Sequence, residues 1–237
     1  MGRPSGRLRF LLDRIESGFD VVFTPAGNPL YQLGALGWFF YWIVVASGIY
    51  LYVFFDTGVD GAYASVQGLT ERQPYLGGLL RSLHRYASDG MVLTMLLHLV
   101  RHFTFDRHRG FRWFSWVSGL ALLWLVYAAG INGYMLPWDR LSQFVTIGVA
   151  EWFDWLPMFR GSLVRNFIFA ENFNDRLFSL LAFIHIGLPL AVIALLWIHV
   201  QRVPQAKTTP PRPILAMVTL ALVALALLRP AASQSPA

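Results

Sequence analysis

The chain has 237 residues, 56% of them hydrophobic and 14% charged, with six histidines, no cysteine and a net charge of +6. An apolar share above the roughly 45–50% of soluble domains excludes a disordered chain and argues against an ordinary soluble enzyme. Without cysteine, these residues hold no disulfide, no cysteine-ligated iron–sulfur cluster and no thioether-attached haem.

In chain order, residues 1–29 mix Arg3, Arg7, Arg9 and Arg14 with Leu8, Phe10, Leu11, Leu12 and Ile15. This pattern predicts an amphipathic helix on a membrane surface, not a secretory signal. Leu33–Phe55 follows as 23 residues without charge. Leu79–Val100 is the second candidate span, although it carries Arg81, His84, Arg85, Asp89 and His98. Ionisable groups in a spanning helix are expensive and turn toward the bundle interior or a cofactor, so this is the most informative helix. Trp113–Trp138 has 26 uncharged residues, and Leu177–Val200 has 24 with only two histidines as ionisable groups. About 20 helical residues cross a hydrocarbon core. Residues 204–213 read as a Pro-rich linker. Ile214–Leu228, with 15 apolar residues, reads as a short fifth spanning helix within 214–229, an interfacial helix being the alternative. Residues 230–237 form a tail. The organisation is thus a surface segment (1–29), a four-helix bundle (30–203), the linker, the fifth helix and the tail.

The basic residues lie between the apolar runs, as membrane topology demands, and not on a nucleic-acid surface. The N-terminal segment, the loop after the second span and the linker carry eleven. The 56–76 and 139–176 loops, on the opposite side, carry five: Arg72, Arg140, Arg160, Arg165 and Arg176. The excess predicts a cytoplasmic N terminus.

His84 and His98 on the second span are 14 residues apart, as are His185 and His199 on the fourth. Fourteen steps come to about 1400°, about 40° short of four turns, so each pair lies near one stripe, about 21 Å apart along the axis. The second and fourth spans run in the same direction. Their pairs therefore face each other at two levels, which bis-imidazole ligation of two haem b groups explains. A lone intramembrane histidine is commonly a polar contact between helices; two equally spaced pairs point to ligation. His102 and His108 read as solvated or headgroup-facing. Gly34 and Gly48 on the first span repeat the interval of 14, as do Gly119 and Gly133 on the third. Glycine lets another body approach the backbone. Here that body is a macrocycle, or, alternatively, a neighbouring helix packing against small residues. Arg81 and Arg101 flank the histidine levels and suit the carboxylates of haem propionates at the outer and inner level respectively.

At these residues the sequence resembles the N-terminal four-helix half of cytochrome b from the bc and bf quinol-oxidising complexes. The resemblance rests on Ala62–Gln67 (AYASVQ), Leu80–Tyr86 (LRSLHRY), the histidine and glycine intervals and Gly133–Asp139 (GYMLPWD). It covers roughly residues 28–203. It implies an all-α integral membrane protein, a four-helix transmembrane bundle binding two noncovalent haem b groups, with the fifth C-terminal helix in addition. His84 and His185 would hold the low-potential outer haem, and His98 and His199 the high-potential inner one. Quinone is the implied substrate. The 139–176 loop, with Trp152, Phe153, Trp155 and Leu156, looks like the amphipathic helices that cover an outer quinol pocket. The implied location is a bacterial cytoplasmic membrane. The implied partners are a subunit like the C-terminal half, a Rieske protein and cytochrome c, and the family's assembly makes a dimeric complex an expectation by analogy.

There are departures. The family's Pro-Glu-Trp-Tyr motif does not occur in these residues. Gln32 stands where bf-type proteins attach a third haem through cysteine. Leu180 replaces an arginine, with Arg176 nearby. The stretch after His199 has Gln201 and Arg202 in place of a histidine of the inner quinone site, for which Arg202 and Gln205 could substitute. These departures keep a second reading open, a diheme membrane anchor passing electrons between the quinone pool and an iron–sulfur or molybdenum subunit. A transporter or assembly factor is disfavoured, since no interrupted helices or internal repeats are evident.

Overall fold

The computed structural model describes residues 6–163, 165, 175–203 and 205–235. Arg3 of the N-terminal segment, Pro204 of the linker and Glu171 of the 139–176 loop lie outside the described residues. Among those described there is no strand. The helices are α1 (Gly6–Gly27), α2 (Leu33–Phe54), α3 (Ala62–Glu71), α4 (Leu79–Thr104), α5 (Trp113–Met135), α6 (Arg140–Asp154), α7 (Asp175–Gln201) and α8 (Arg212–Leu228). The chain is a helical bundle of membrane type. The helices α2, α5 and α7 are long and apolar enough to cross a membrane. α4 is as long, 26 residues, but carries the charges already noted.

α2 packs against α4 and α5 against α7, while α4 joins the two pairs through α5 and receives α8 on another side. Between the levels of the two histidine pairs lies an apolar plug of Leu36, Phe40, Tyr41, Ala87, Met91, Leu122, Val126 and Val192, to which α8 adds Ile214 and Leu222. Gly90 permits this plug: a Cβ there would lie 3.0 Å from the Phe40 ring. A second cluster, Ala62, Met135, Trp138, Leu177, Phe178 and Leu181, closes the end that holds His84 and His185. That end is called outer below, and the His98–His199 end inner. Large residues such as Trp124 and Phe183 point away from the core, 65% and 75% exposed. On a spanning bundle these are lipid-facing positions, where no hydrophobic driving force buries them.

The third span is shorter than its charge-free run. α5 stops at Met135, because Pro137 cannot donate a backbone hydrogen bond and Trp138 turns into the left-handed region, φ 53°. That conformation costs about 1–2 kcal/mol for a non-glycine residue. Trp138 is nevertheless buried, its ring edge-on to Phe178 at 4.9 Å, and this packing opposes the cost. The turn delivers Asp139 as the N-cap of α6. Its Oδ1 accepts from the Ser142 N–H at 2.9 Å and the Ser142 hydroxyl at 2.7 Å. Such a cap satisfies donors that a helix start leaves free.

α1 presents an unexpected face to the bundle. Its one buried residue is Glu16, while Phe10, Leu11, Ile15, Val21 and Val22 face outward. This suits a helix whose apolar side lies in lipid and whose polar side docks on protein. The return to α2 is tied by Asn28, fully buried, whose amide donates to Glu16 O at 3.1 Å and Asp20 Oδ1 at 2.8 Å.

Candidate functional site

The four histidines fall where helical periodicity predicts, two on α4 and two on α7, and each meets one of the four glycines. A Cβ on Gly48 would lie 3.0 Å from His84 Cε1, and one on Gly34 3.2 Å from His98 Cε1. On the other pair, a Cβ on Gly133 would lie 2.8 Å from His185 Cε1 and one on Gly119 3.3 Å from His199 Cε1. The space left by each missing side chain is thus taken by an imidazole. The sequence reading offered a macrocycle or a neighbouring helix as the approaching body, and a ring from a neighbouring helix lies against each glycine.

At the outer end the His84 and His185 rings face each other with centroids 6.2 Å apart and planes at 59°. Two imidazoles that each gave one nitrogen to a shared metal ion at about 2 Å could stand with their ring centroids about 6 Å apart. Both rings are also held in a ligand's tautomer. His84 Nδ1 lies 3.0 Å from Val44 O and His185 Nδ1 3.1 Å from Ala129 O. A carbonyl only accepts, so Nδ1 donates in both rings and Nε2 keeps its lone pair. At the inner end His102 packs edge-on against His98 at 4.3 Å. Among the described residues no three or more His, Cys, Asp or Glu side chains converge as a metal cage. A pair of facing imidazoles therefore fits a group that brings its own equatorial ligands, as haem does.

The arginines are already engaged. Arg81 donates to Thr70 Oγ1 at 2.7 Å and to Ser233 Oγ at 2.6 Å. Arg101 forms a two-pronged pair with Glu16, Nε to Oε1 at 2.6 Å, and its guanidinium lies over the Tyr31 and Phe105 rings. An apolar environment does not leave a guanidinium unpaired.

Sequence reasoning missed other groups at the inner end. His108 is not solvated. It is 6% exposed, stacked on Phe103 at 4.7 Å, and accepts from Arg109 Nε at 3.1 Å, because the loop folds back over the start of α5. Its Nδ1 and Trp116 Nε1 are buried without a hydrogen-bond partner. Burial and the adjacent Arg101 and Arg112 guanidiniums lower the Arg107 pKa, the sign of a crowded cationic cluster. Orphan donors beside arginines, one turn from Gly119, suit the carboxylates of a haem edge. Ser47 and Ser118 were missed as well: each puts its Oγ beside a histidine Nδ1, at 3.1 Å from His84 and 2.9 Å from His199. The signal was present, since each serine directly precedes one of the spaced glycines.

At the outer end residues 229–235 return to the bundle. Gln234 N–H donates to Asp139 Oδ2 at 2.8 Å and Ala231 N–H to Ser82 Oγ at 3.0 Å. Burial of Asp139 opposes its ionisation, but the N–H and hydroxyl of Ser142, the N–H of Gln234 and nearby Arg81 outweigh this and lower its pKa.

The family model described as cytochrome b/b6/petB matches residues 20–206. A "Cytochrome bc complex cytochrome b subunit" of Chlorobaculum thiosulfatiphilum is 34% identical over 116 residues, 49% of this chain and 27% of that protein. A "Cytochrome b6" of Mastigocladus laminosus is 33% identical over 130 residues, 54% of this chain and 60% of that protein. Among solved structures, one titled "Hyperthermophilic respiratory Complex III" superposes with a TM-score of 0.61 at 20% identity, covering 84% of this chain and 57% of that one. That likeness bears on the fold alone. In every case the match spans less than two thirds of the relative's length.

Proposed function

This chain belongs to the cytochrome b family, corresponding to its N-terminal half, and from that membership we propose that it is a diheme electron-transfer subunit of a quinol-oxidising membrane complex. The family implies haem b. The reading adds two of them, the outer between His84 and His185, the inner between His98 and His199. The observation that carries it is the 6.2 Å separation of the outer rings, each with Nδ1 committed and Nε2 free.

When bound, a bis-imidazole haem supplies one-electron redox chemistry inside the membrane. The protein's own residues do the rest. Val44 O, Ala129 O and the two serines hold the imidazoles in tautomer and orientation, and this second shell raises ligand basicity. The four glycines set how far the rings stand from α2 and α5. The plug around Phe40, Met91 and Leu122 excludes water between the two levels. Arg81 at the outer end, and Arg101, Arg107 and Trp116 at the inner end, supply donors for propionates, Arg101 sharing its charge with Glu16.

The chain lies in the membrane with its N terminus on the cytoplasmic side, a reading supported by the distribution of basic residues. α8 is a fifth span: it runs from the linker at the inner end, and the segment after it meets Ser82 and Arg81 at the outer end. At 17 residues it is about 26 Å long, slightly short of a typical hydrocarbon core. The relative named as a subunit of a bc complex supports partners of the same kind: a C-terminal-half subunit, a Rieske protein and cytochrome c. The second reading, a conduit for an iron–sulfur or molybdenum oxidoreductase, is favoured by the Gln201–Arg202–Val203 stretch after His199, and the subunits that copurify separate the two.

The test is haem stoichiometry of the purified protein by reduced-minus-oxidised and pyridine haemochrome spectra. Two haem b per chain are expected, with His84→Ala or His185→Ala removing one and His98→Ala or His199→Ala the other. A wild-type chain without b-type bands, or with one haem, overturns the reading.

A further inference from the structure

The serines beside the histidines carry an inference that rests on the two-haem reading. Ser47 is 2% exposed and Ser118 6% exposed, so neither hydroxyl is there for water. In each, the hydroxyl proton is already spent on its own helix. Ser47 Oγ–H donates to Ile43 O at 2.6 Å, and Ser118 Oγ–H to Ser115 O at 3.1 Å. Each oxygen therefore presents only lone pairs to the nearby ring: the one Nδ1–H of His84 is shared between Val44 O at 3.0 Å and Ser47 Oγ at 3.1 Å, and the His199 Nδ1–H meets Ser118 Oγ at 2.9 Å.

The placement follows from the adjacent glycine. With no Cβ at Gly48 or Gly119, the imidazole comes so close to the backbone that the preceding side chain lies at its edge. The four positions before the spaced glycines are Leu33, Ser47, Ser118 and Asn132. Leu33 cannot accept. Asn132 Oδ1 is buried without a partner, and His185 turns instead to Ala129 O. Each histidine pair thus contains one member with a serine oxygen at its Nδ1, His84 (beside Val44 O) in the outer and His199 in the inner.

We propose that Ser47 and Ser118 are positioning residues that act through His84 and His199, each lowering the reduction potential of its own haem. An Nδ1–H bond to an oxygen makes the imidazole a stronger donor through Nε2, which favours the oxidised, more positive iron. Removing the serine oxygen weakens that preference and the potential rises, less at His84, where Val44 O still accepts, than at His199.

The experiment is an optical redox titration of the purified wild-type protein and of Ser47→Ala, Ser118→Ala, Ser47→Thr and Ser118→Thr. Ser118→Ala is expected to raise one of the two waves by about three- to tenfold in the reduction equilibrium, about 30–60 mV for one electron, leaving the other wave in place. Ser47→Ala is expected to raise the other wave by less, because Val44 O still accepts from His84. Threonine keeps the hydroxyl and returns the wild-type value. A serine acting only as packing would leave potentials unmoved in any variant that retains both haems, and that outcome overturns the proposal. So does a shift of both waves together, or a threonine variant that behaves like alanine. If Ser47→Ala fails to assemble, Ser118→Ala and the threonine pair still decide. A wild-type chain with two haems and unmoved alanine variants refutes the serine role alone; a wild-type chain without b-type bands refutes the two-haem reading with it.

Discussion

Gly133→Ala is the sharpest perturbation. The added Cβ would lie 2.8 Å from His185 Cε1, against about 3.5–4.0 Å for an unstrained carbon pair. The ring cannot swing away freely, since its Nδ1–H is held by Ala129 O at 3.1 Å. Overpacking of this kind costs about 1–3 kcal/mol. Against it stands about 1 kcal/mol that alanine gains over glycine inside a helix. At 2.8 Å the approach takes the upper part of that range, about 2–3 kcal/mol, so the net expected at Gly133 is a loss of about 1–2 kcal/mol, a factor of about 5–30 in the equilibrium that seats His185. At Gly119 the corresponding approach is 3.3 Å, and the two terms nearly cancel. Damage should therefore rank Gly133, Gly48, Gly34, Gly119, with the outer haem suffering more than the inner. The assay is haem content per chain after detergent extraction, with a thermal melt in parallel. A Gly133→Ala protein with both haems and a wild-type melt refutes the argument, as does greater damage at Gly119.

Three further outcomes are expected. Glu16→Ala leaves Arg101 partly buried without its carboxylate, costing about 3 kcal/mol and exposing α1 to limited proteolysis; exchanging the two charges should restore part of the loss, and an α1 as protected as in the wild type would contradict the pairing. Asp139→Ala removes the α6 cap for about 1 kcal/mol. Because its folded pKa lies below the ordinary 3.8, the Asp139 contribution is complete above that value and lost as the pH falls through the folded pKa, so acid melts of the variant should show a shallower decline below pH 3.8. Since the chain has no cysteine of its own, Lys207→Cys and Ala232→Cys can be probed with an impermeant maleimide in intact cells; only the Ala232 position should label if α8 crosses with the linker inside, and equal labelling would place both on one side.

Much of the bundle was legible because its signals are local. Charge-free runs of adequate length predicted α2, α5 and α7, and the ionisable residues of α4 marked it as the helix facing the site. The fifth helix was also readable, from 15 apolar residues between Pro213 and Arg229. Less legible were α3 and the exact end of α5, since short amphipathic helices and a Pro137–Trp138 turn leave no long apolar run. The arginines were read as propionate anchors, and the structure gives them further partners, Glu16 for Arg101 and Thr70 and Ser233 for Arg81. Glu16 and Ser233 lie 85 and 152 residues from their arginines, beyond any local window along the chain.

The division has a physical basis. An α-helix repeats every 3.6 residues whatever surrounds it. The spacing of His84 and His98, of His185 and His199, and of the two glycine pairs therefore determined, from sequence alone, which residues share a stripe and at which level each sits. Which stripe faces which is a question of helix packing, decided by complementary surfaces far apart in the chain. Only the folded bundle could put each glycine against an imidazole, spend the Ser47 and Ser118 protons on helix carbonyls, and bring residues 229–235 back onto Asp139.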